Sequence, residues 1–206
     1  MTNPKAVMIS IHPKWCGLIA SGKKTLEVRK TRPKIETPFK VYIYCTKDKN
    51  NHFWAGKRYA YADERSHNAF DKDGNGKVIG EFVCDEVITY IADDFIGAID
   101  YDGTTRMEPV DGEFAYWIPG QDKTCLNTSE INEYGNGKTI YGWHISDLKI
   151  YEQPKELSHF EKPCSYNCNK CKYYHMGSLE EPPSCEWEDF AISKPPQSWC
   201  YVEVAE

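Results

Sequence analysis

The chain has 206 residues, 40% of them hydrophobic and 27% charged, with a formal net charge of -6. No run of about 18 apolar residues is present, which excludes a membrane-spanning helix, and the acidic balance argues against a protein that coats polyanions through an overall cationic field. The opening residues MTNPKAVMISIHP carry one lysine and a short apolar run broken by His12 and Pro13, so they do not read as a secretory signal and a cytoplasmic location is expected.

AVMISI, residues 6–11, is a β-branched run suited to a buried strand. Pro13 then occupies a first helical position, where its missing N–H costs nothing. Trp15, Leu18 and Ile19 follow at helical spacing, and Gly22 stands where a residue past the helix end is expected. Strand-like runs follow at 25–30, 40–46 (KVYIYCT), 77–90 (KVIGEFVCDEVITY), 141–151 (YGWHISDLKIY) and 198–204 (SWCYVEV). Gly80 marks a bulge or bend inside the third of these. Asn127, with Glu130 three residues on, signals a helix over 128–134 that Gly135 would end. Several strands and few helices at irregular spacing predict a mixed α+β domain, its antiparallel sheet curled into a small barrel that removes its own edges.

The segment SGKKTLEVRK at 21–30 carries charge of both signs through a predicted strand. Successive strand side chains point to opposite faces, so Thr25, Glu27 and Arg29 share one face and Leu26 and Val28 the other. With Lys24 just off the helix end, three ionised groups of net charge one suit an anion or a carbonyl-rich ring. Arginine offers a bidentate fork, and glutamate accepts from an exocyclic amine. The competing reading is a solvated face with an ordinary ion pair of little energetic weight.

Within this segment GKKTLEVR, Gly22 to Arg29, resembles the G-x-K-x-x-E-x-R signature of the ASCH domain (activating signal cointegrator homology), a branch of the PUA-like superfamily. ISIHPKW before it, and KVYIYCTK, KVIGEFVCDEV, YGWHISDLKIYEQPKEL and PPQSWCYVE after it, resemble the family's flanking strands and first helix. The resemblance implies a small mixed β-barrel whose cleft is lined by Lys24, Glu27 and Arg29 and binds RNA, a nucleotide or a modified nucleoside. It also implies an alternative, since some bacterial members are amidohydrolases that remove acyl groups from the exocyclic amine of cytidine. In those, a lysine at the place of Lys24 works with a threonine at the place of Glu27, so Lys24 and Glu27 would be the catalytic pair here. Glutamate instead of threonine removes the hydroxyl that nucleophilic attack needs and holds the lysine protonated, which favours binding over hydrolysis.

Nine cysteines cannot all pair, and a disulfide framework is not expected in a reducing compartment. Cys16, Cys45, Cys84, Cys125 and Cys200 are scattered and read as small buried hydrophobes. Cys164, Cys168, Cys171 and Cys185 form C-x3-C-x2-C-x13-C inside a long polar segment with Pro182-Pro183 and Pro195-Pro196. Four thiolates complete a tetrahedral structural zinc site, and so long a loop needs something to hold it. The expected organisation is therefore one domain, 1–206, with 160–192 as a zinc-binding insertion before the last strand. C-x3-C-x2-C also occurs in iron–sulfur radical enzymes, which need a larger barrel than this length allows; unligated thiols stay possible, and His175 or His159 is an alternative ligand. The insertion also suits a protein-interaction surface.

Two further stretches invite chemistry. DKDGNGKVIGEF, 71–82, nearly copies a calcium loop through Asp71, Asp73, Asn75 and Gly76, but Phe82 stands where the bidentate glutamate belongs, so a turn entering a strand is expected. FWAGKRYAY, 53–61, interleaves Trp54, Tyr59 and Tyr61 with Lys57 and Arg58, as single-stranded nucleic acid asks; such loop aromatics also pack down onto the body. Trp143 reads as core and His144 as a surface or satisfied histidine.

Overall fold

The structure, a computed structural model, describes residues 5–55, 60–62, 72–93, 97–99, 106–110, 113–117, 120–163 and 191–203. Its elements run β1 (Lys5–Ile11), α1 (Pro13–Ala20), β2 (Leu26–Arg29), β3 (Phe39–Cys45), β4 (His52–Ala55), β5 (Ala60–Ala62), β6 (Lys72–Asp73), β7 (Val78–Cys84), β8 (Val87–Asp93), β9 (Gly97–Ile99), β10 (Arg106–Val110), β11 (Glu113–Trp117), α2 (Gln121–Thr124), α3 (Thr128–Gly135), β12 (Ile140–His144), β13 (Ser146–Lys155) and β14 (Trp199–Glu203). No described helix is long and apolar enough to cross a membrane.

β1 lies inside a five-stranded sheet of order β13-β7-β3-β1-β14, parallel to β3 and antiparallel to β14. Its alternation feeds two cores. Val7, Ile9 and Ile11 join Val41, Ile43, Cys16, Ile19 and Trp143 on one side; Ala6 and Met8 join Tyr42, Tyr44, Phe160, Ile192 and Val202 on the other. A strand covered on both faces has no use for polar alternation, which is why its sequence from Ala6 to Ile11 is apolar except for the buried Ser10. Each such fully buried aliphatic side chain contributes about 1.5–3 kcal/mol.

α1 ends where the sequence indicates. Gly22 takes φ +73°, its N–H bonds to the Ile19 carbonyl at 2.9 Å, and the Lys23 N–H reaches back to Leu18 at 3.0 Å. This is a Schellman closure, and its left-handed residue is one that glycine adopts without cost. α3 also has the expected start: Asn127 Oδ1 accepts from Glu130 N at 2.9 Å while Glu130 Oε2 accepts from Asn127 N at 2.8 Å. It runs through Gly135, and the left-handed cap is Asn136.

The long predicted strands are each two strands in different sheets. The run 77–90 breaks at Asp85-Glu86 into β7 and β8; 141–151 breaks at Ile145 into β12 and β13. β8 and β12 belong to a second sheet of order β2-β12-β8-β9. The two breaks lie side by side: His144 N donates to Glu86 O at 2.9 Å, and His144 Nδ1 sits 2.7 Å from Asp85 Oδ1. Gly80 stands beside a register shift between β3 and β7, and a Cβ there would come within 2.5 Å of the Lys149 carbonyl.

Among the described residues the sheets do not close into the expected barrel. β14 and β2 end as edges of separate sheets, and side chains span the gap between them. Trp199 Nε1 donates to Thr31 Oγ1 at 2.9 Å, and Lys34 N donates to Tyr201 Oη at 2.7 Å. The loop after β2 thus covers the β14 edge, one of the ways an edge is managed without ladder closure. At the base of the cysteine-rich segment, Glu161 bridges Ala191 and Ile192 N donates to Phe160 O at 2.8 Å.

Candidate functional site

β2 is buried on both faces, and that decides the fate of its charges. Val28 enters a cluster with Tyr90, Ile131 and Ile140 beneath α3. Glu27 pairs in register with the core residue Trp143, and Arg29 with Tyr141, so the charged side faces inward, toward β1 and α1. Ionised groups taken out of water must be paired and hydrogen-bonded to persist.

They are. The Schellman turn brings Lys24 in behind β2, where its residue is 3% exposed. Lys24 Nζ donates to Leu26 O at 2.9 Å and to Thr124 O at 2.7 Å, and lies 3.3 Å from Glu27 Oε2. Three N–H groups thereby meet three acceptors. Glu27 Oε1 is 2.9 Å from Arg29 Nη2, which also donates to Ser10 O at 2.7 Å. Glu27 is therefore a carboxylate bridge between two cations, and Arg29 is braced from both sides. Its buried Nε has no hydrogen-bond partner among the described residues. With all three ionised, the buried cluster carries one net positive charge.

The cluster forms one wall of a pocket of about 250 Å³. Ser10, Ile11, His12 and Trp15 line it from the β1–α1 side; Leu126, Glu130 and Tyr134 line it from α3 and its approach. Lys24 Nζ lies 5.3 Å from the Trp15 ring centroid and Lys14 Nζ 4.6 Å. Glu130 is exposed and already serves the α3 cap, so it borders the pocket without neutralising its buried side. Burial pushes the Tyr134 hydroxyl above its ordinary value, which keeps it neutral. Burial, then the neighbouring Cys45 thiol, pushes Cys16 well up, so the thiol behind the cluster stays protonated.

The structure thus brings Lys24, Glu27 and Arg29 together. The partners supplied from afar were not indicated by sequence: the Thr124 carbonyl comes from α2, a one-turn helix without apolar periodicity, 100 residues from Lys24, and the Ser10 carbonyl carries no side-chain signal. The capping box located α3, and Tyr134 shares a helical face with Glu130 four residues earlier, which was the available clue.

The remaining candidates lie elsewhere. Cys164, Cys168, Cys171, Cys185 and His175 fall outside the described residues, as do Lys57, Arg58, Tyr59 and Asp71. Among the described residues no group of three His, Cys, Asp or Glu side chains has metal-binding geometry. The calcium-like stretch is a turn: Asn75 Oδ1 accepts from Phe53 N at 3.1 Å, and Asp73 Oδ1 accepts from Asn75 N at 2.9 Å. Trp54 is buried, with His52 stacked 5.5 Å from it, and Trp143 is in the core.

The ASCH domain family profile matches residues 9–173, most of the chain and the whole of the charged pocket wall. The chain is a member of the ASCH domain family. That family has a PUA-like fold and is generally associated with RNA binding or related roles. Among solved structures, the ASCH protein from Zymomonas mobilis is similar, at 15% identity over 95% of this chain and 86% of that one, with a TM-score of 0.43. A point mutant of the same Zymomonas mobilis protein matches at 16% identity over 98% of this chain and 90% of that one, TM-score 0.45. The ASCH chain described here matches no curated protein.

Proposed function

We propose that the pocket binds the base of a nucleotide or modified nucleoside, with Arg29 as the anchoring donor. The supporting observation is the braced guanidinium: Nη2 is committed to Glu27 and Ser10, while the buried Nε has no partner. A ligand carbonyl or ring nitrogen would meet the guanidinium where Arg29 lines the pocket, since Nε itself is closed to solvent. Trp15 and Tyr134 supply flat apolar surface, and stacking a base on such a ring contributes about 1–3 kcal/mol. At about 250 Å³ the pocket is smaller than typical drug-sized sites, in keeping with a single heterocycle. Lys24, with every N–H engaged, positions Glu27, and Glu27 in turn holds Arg29 and keeps lone pairs for an exocyclic amine.

Calorimetric titration with the common nucleosides, their 5′-monophosphates and acetylated cytidine tests this. Binding by at least one of them, weakened about tenfold or more in Arg29→Lys, is expected, because lysine lacks the fork. No heat across the whole panel would overturn the reading. Release of cytidine from acetylated cytidine in the same mixtures would move the protein to the amidohydrolase alternative.

We further propose that Cys164, Cys168, Cys171 and Cys185 hold a structural zinc ion. Support comes from the spacing and from the paired ends of that segment, since ends already held together lower the closure cost of stapling it.

A further inference from the structure

The element that covers the Lys24 ammonium is held in place by polar contacts. α2, QDKT, contains no apolar residue, and of its side chains Thr124 is the buried one. Its Thr124 carbonyl accepts from Lys24 Nζ at 2.7 Å and completes the three acceptors around a residue that is 3% exposed. Two further contacts tie the same segment to the turn after α1. Thr25 N donates to Lys123 O at 3.0 Å, and Cys125 Sγ donates to Lys23 O at 3.4 Å.

Gln121 clasps the segment on itself. Its Nε2 donates to Leu126 O at 3.3 Å, and its Oε1 accepts from Thr128 Oγ1 at 3.2 Å. Thr124 Oγ1 donates to Gln121 O at 2.6 Å and accepts from Leu126 N at 3.1 Å. Both flanks of α2 are left-handed, Gly120 at φ +72° and Cys125 at φ +57°; Cys125 has a Cβ and holds that conformation against its intrinsic preference. A segment fixed by hydrogen bonds, with little apolar burial and a strained end, is of the kind that opens locally while the rest of a fold stays intact.

α2 also leads directly into the base pocket. Leu126 lines it two residues later, as do Glu130 and Tyr134 of α3, and Lys24 lines it from the opposite side. With α2 in place, every Lys24 N–H is engaged. With α2 swung away, the ammonium loses one acceptor and is uncovered beside the pocket, where a ligand oxygen can replace that acceptor. We propose that α2 is a latch on Lys24, and that the Thr124 carbonyl competes with a ligand oxygen for the same N–H. The ligand half of this inference rests on the base-pocket reading; the latch itself does not. A ligand shifts such an equilibrium through a contact that one state offers and the other withholds, and the freed N–H is that contact. Apparent affinity is lowered by the fraction of molecules that stay latched, so loosening the clasp tightens binding.

The first test needs no ligand. The full chain is treated with the amine-acetylating ester N-hydroxysuccinimidyl acetate, and acetylation of Lys24 and of the exposed Lys23 is followed by peptide mass spectrometry. In wild type Lys24 is expected to react about a hundredfold or more slower than Lys23. Gln121→Ala, which removes both clasp bonds, is expected to raise the Lys24 rate about tenfold or more, and Thr128→Val, which removes one, to raise it less, with Lys23 unchanged in both. Low urea separates local from global opening: the Lys24 rate is expected to stay flat well below the unfolding transition. A Lys24 rate unchanged in both variants, or one that climbs with urea as global unfolding does, would overturn the latch. The second readout is calorimetry with the common nucleosides and their 5′-monophosphates. Gln121→Ala is expected to bind at least one of them about threefold or more tighter than wild type. Weaker binding would make α2 plain scaffold and discard the competition while leaving the base pocket standing. Faster Lys24 acetylation with no heat from any of these compounds keeps the latch and discards the base pocket.

Discussion

Glu27→Gln tests whether the charged wall of the ASCH pocket is the buried bridge described above. The substitution keeps shape and one hydrogen-bonding oxygen but removes the only negative charge between Lys24 and Arg29. At 3.3 and 2.9 Å, each attraction has a gross value of about 5–6 kcal/mol at an effective dielectric of about 20. Most of that is offset by the cost of taking the three groups out of water. Breaking a buried pair by removing one partner nevertheless costs about 3–5 kcal/mol, because an uncompensated charge stays behind. Here two stay behind. Glutamine recovers part of this through its remaining oxygen, so a loss of about 3 kcal/mol is expected from the same range, with a fall in Tm of about 6–12 °C for a chain of this size. Urea denaturation followed by tryptophan fluorescence measures it. In a Lys24→Met background the same change strands one cation instead of two, and its cost is expected to shrink by about 1–2 kcal/mol. A loss under about 1 kcal/mol, or a cost that does not depend on Lys24, would show that the three groups are solvated and uncoupled, and the reasoning about the pocket would fail with it.

Other expectations follow from the same structure. Asn127→Ala removes one half of the α3 capping box and is expected to cost about 1 kcal/mol; since α3 carries Tyr134, nucleotide affinity measured by calorimetry falls with it. Cys84 is fully buried, and burial, followed by the Asp85 charge, pushes its thiol up from 9.0 to about 12. The unfolded chain therefore loses this proton first. The stability that Cys84 contributes is complete below about pH 9 and is lost as pH rises from about 9 to about 12; denaturation curves at stepped pH should show a shallower alkaline decline in Cys84→Ala. Metal analysis by mass spectrometry of the purified chain is expected to find about one zinc per molecule, and Cys168→Ser/Cys171→Ser to abolish it. Full metal content in that variant would refute four-thiolate ligation.

Local sequence determined the parts of this protein that local physics controls. The β-branched run at 6–11 suits a buried strand; Pro13 and Gly22 bound the first helix through a fixed φ and a left-handed residue; Asn127 and Glu130 mark the third helix through two reciprocal hydrogen bonds. The alternation of Glu27 and Arg29 with Leu26 and Val28 placed the two charges on one face, and the motif they share with Lys24 pointed to the family. What period-2 and period-3.6 patterns do not carry is where a strand leaves one sheet for another. Asp85-Glu86 and Ile145 look like interior strand residues, and only hydrogen bonding between the two neighbouring breaks makes them corners. For the same reason the expected barrel does not close among the described residues: closure depends on which edges meet, and here Trp199 and Tyr201 meet a loop. The pocket is likewise a tertiary product. Three charges within six residues are as compatible with an open flank as with a cleft; the carbonyls of Ser10 and Thr124, brought in from β1 and α2, make their burial tolerable, and Arg29 Nε is left unpaired among the described residues.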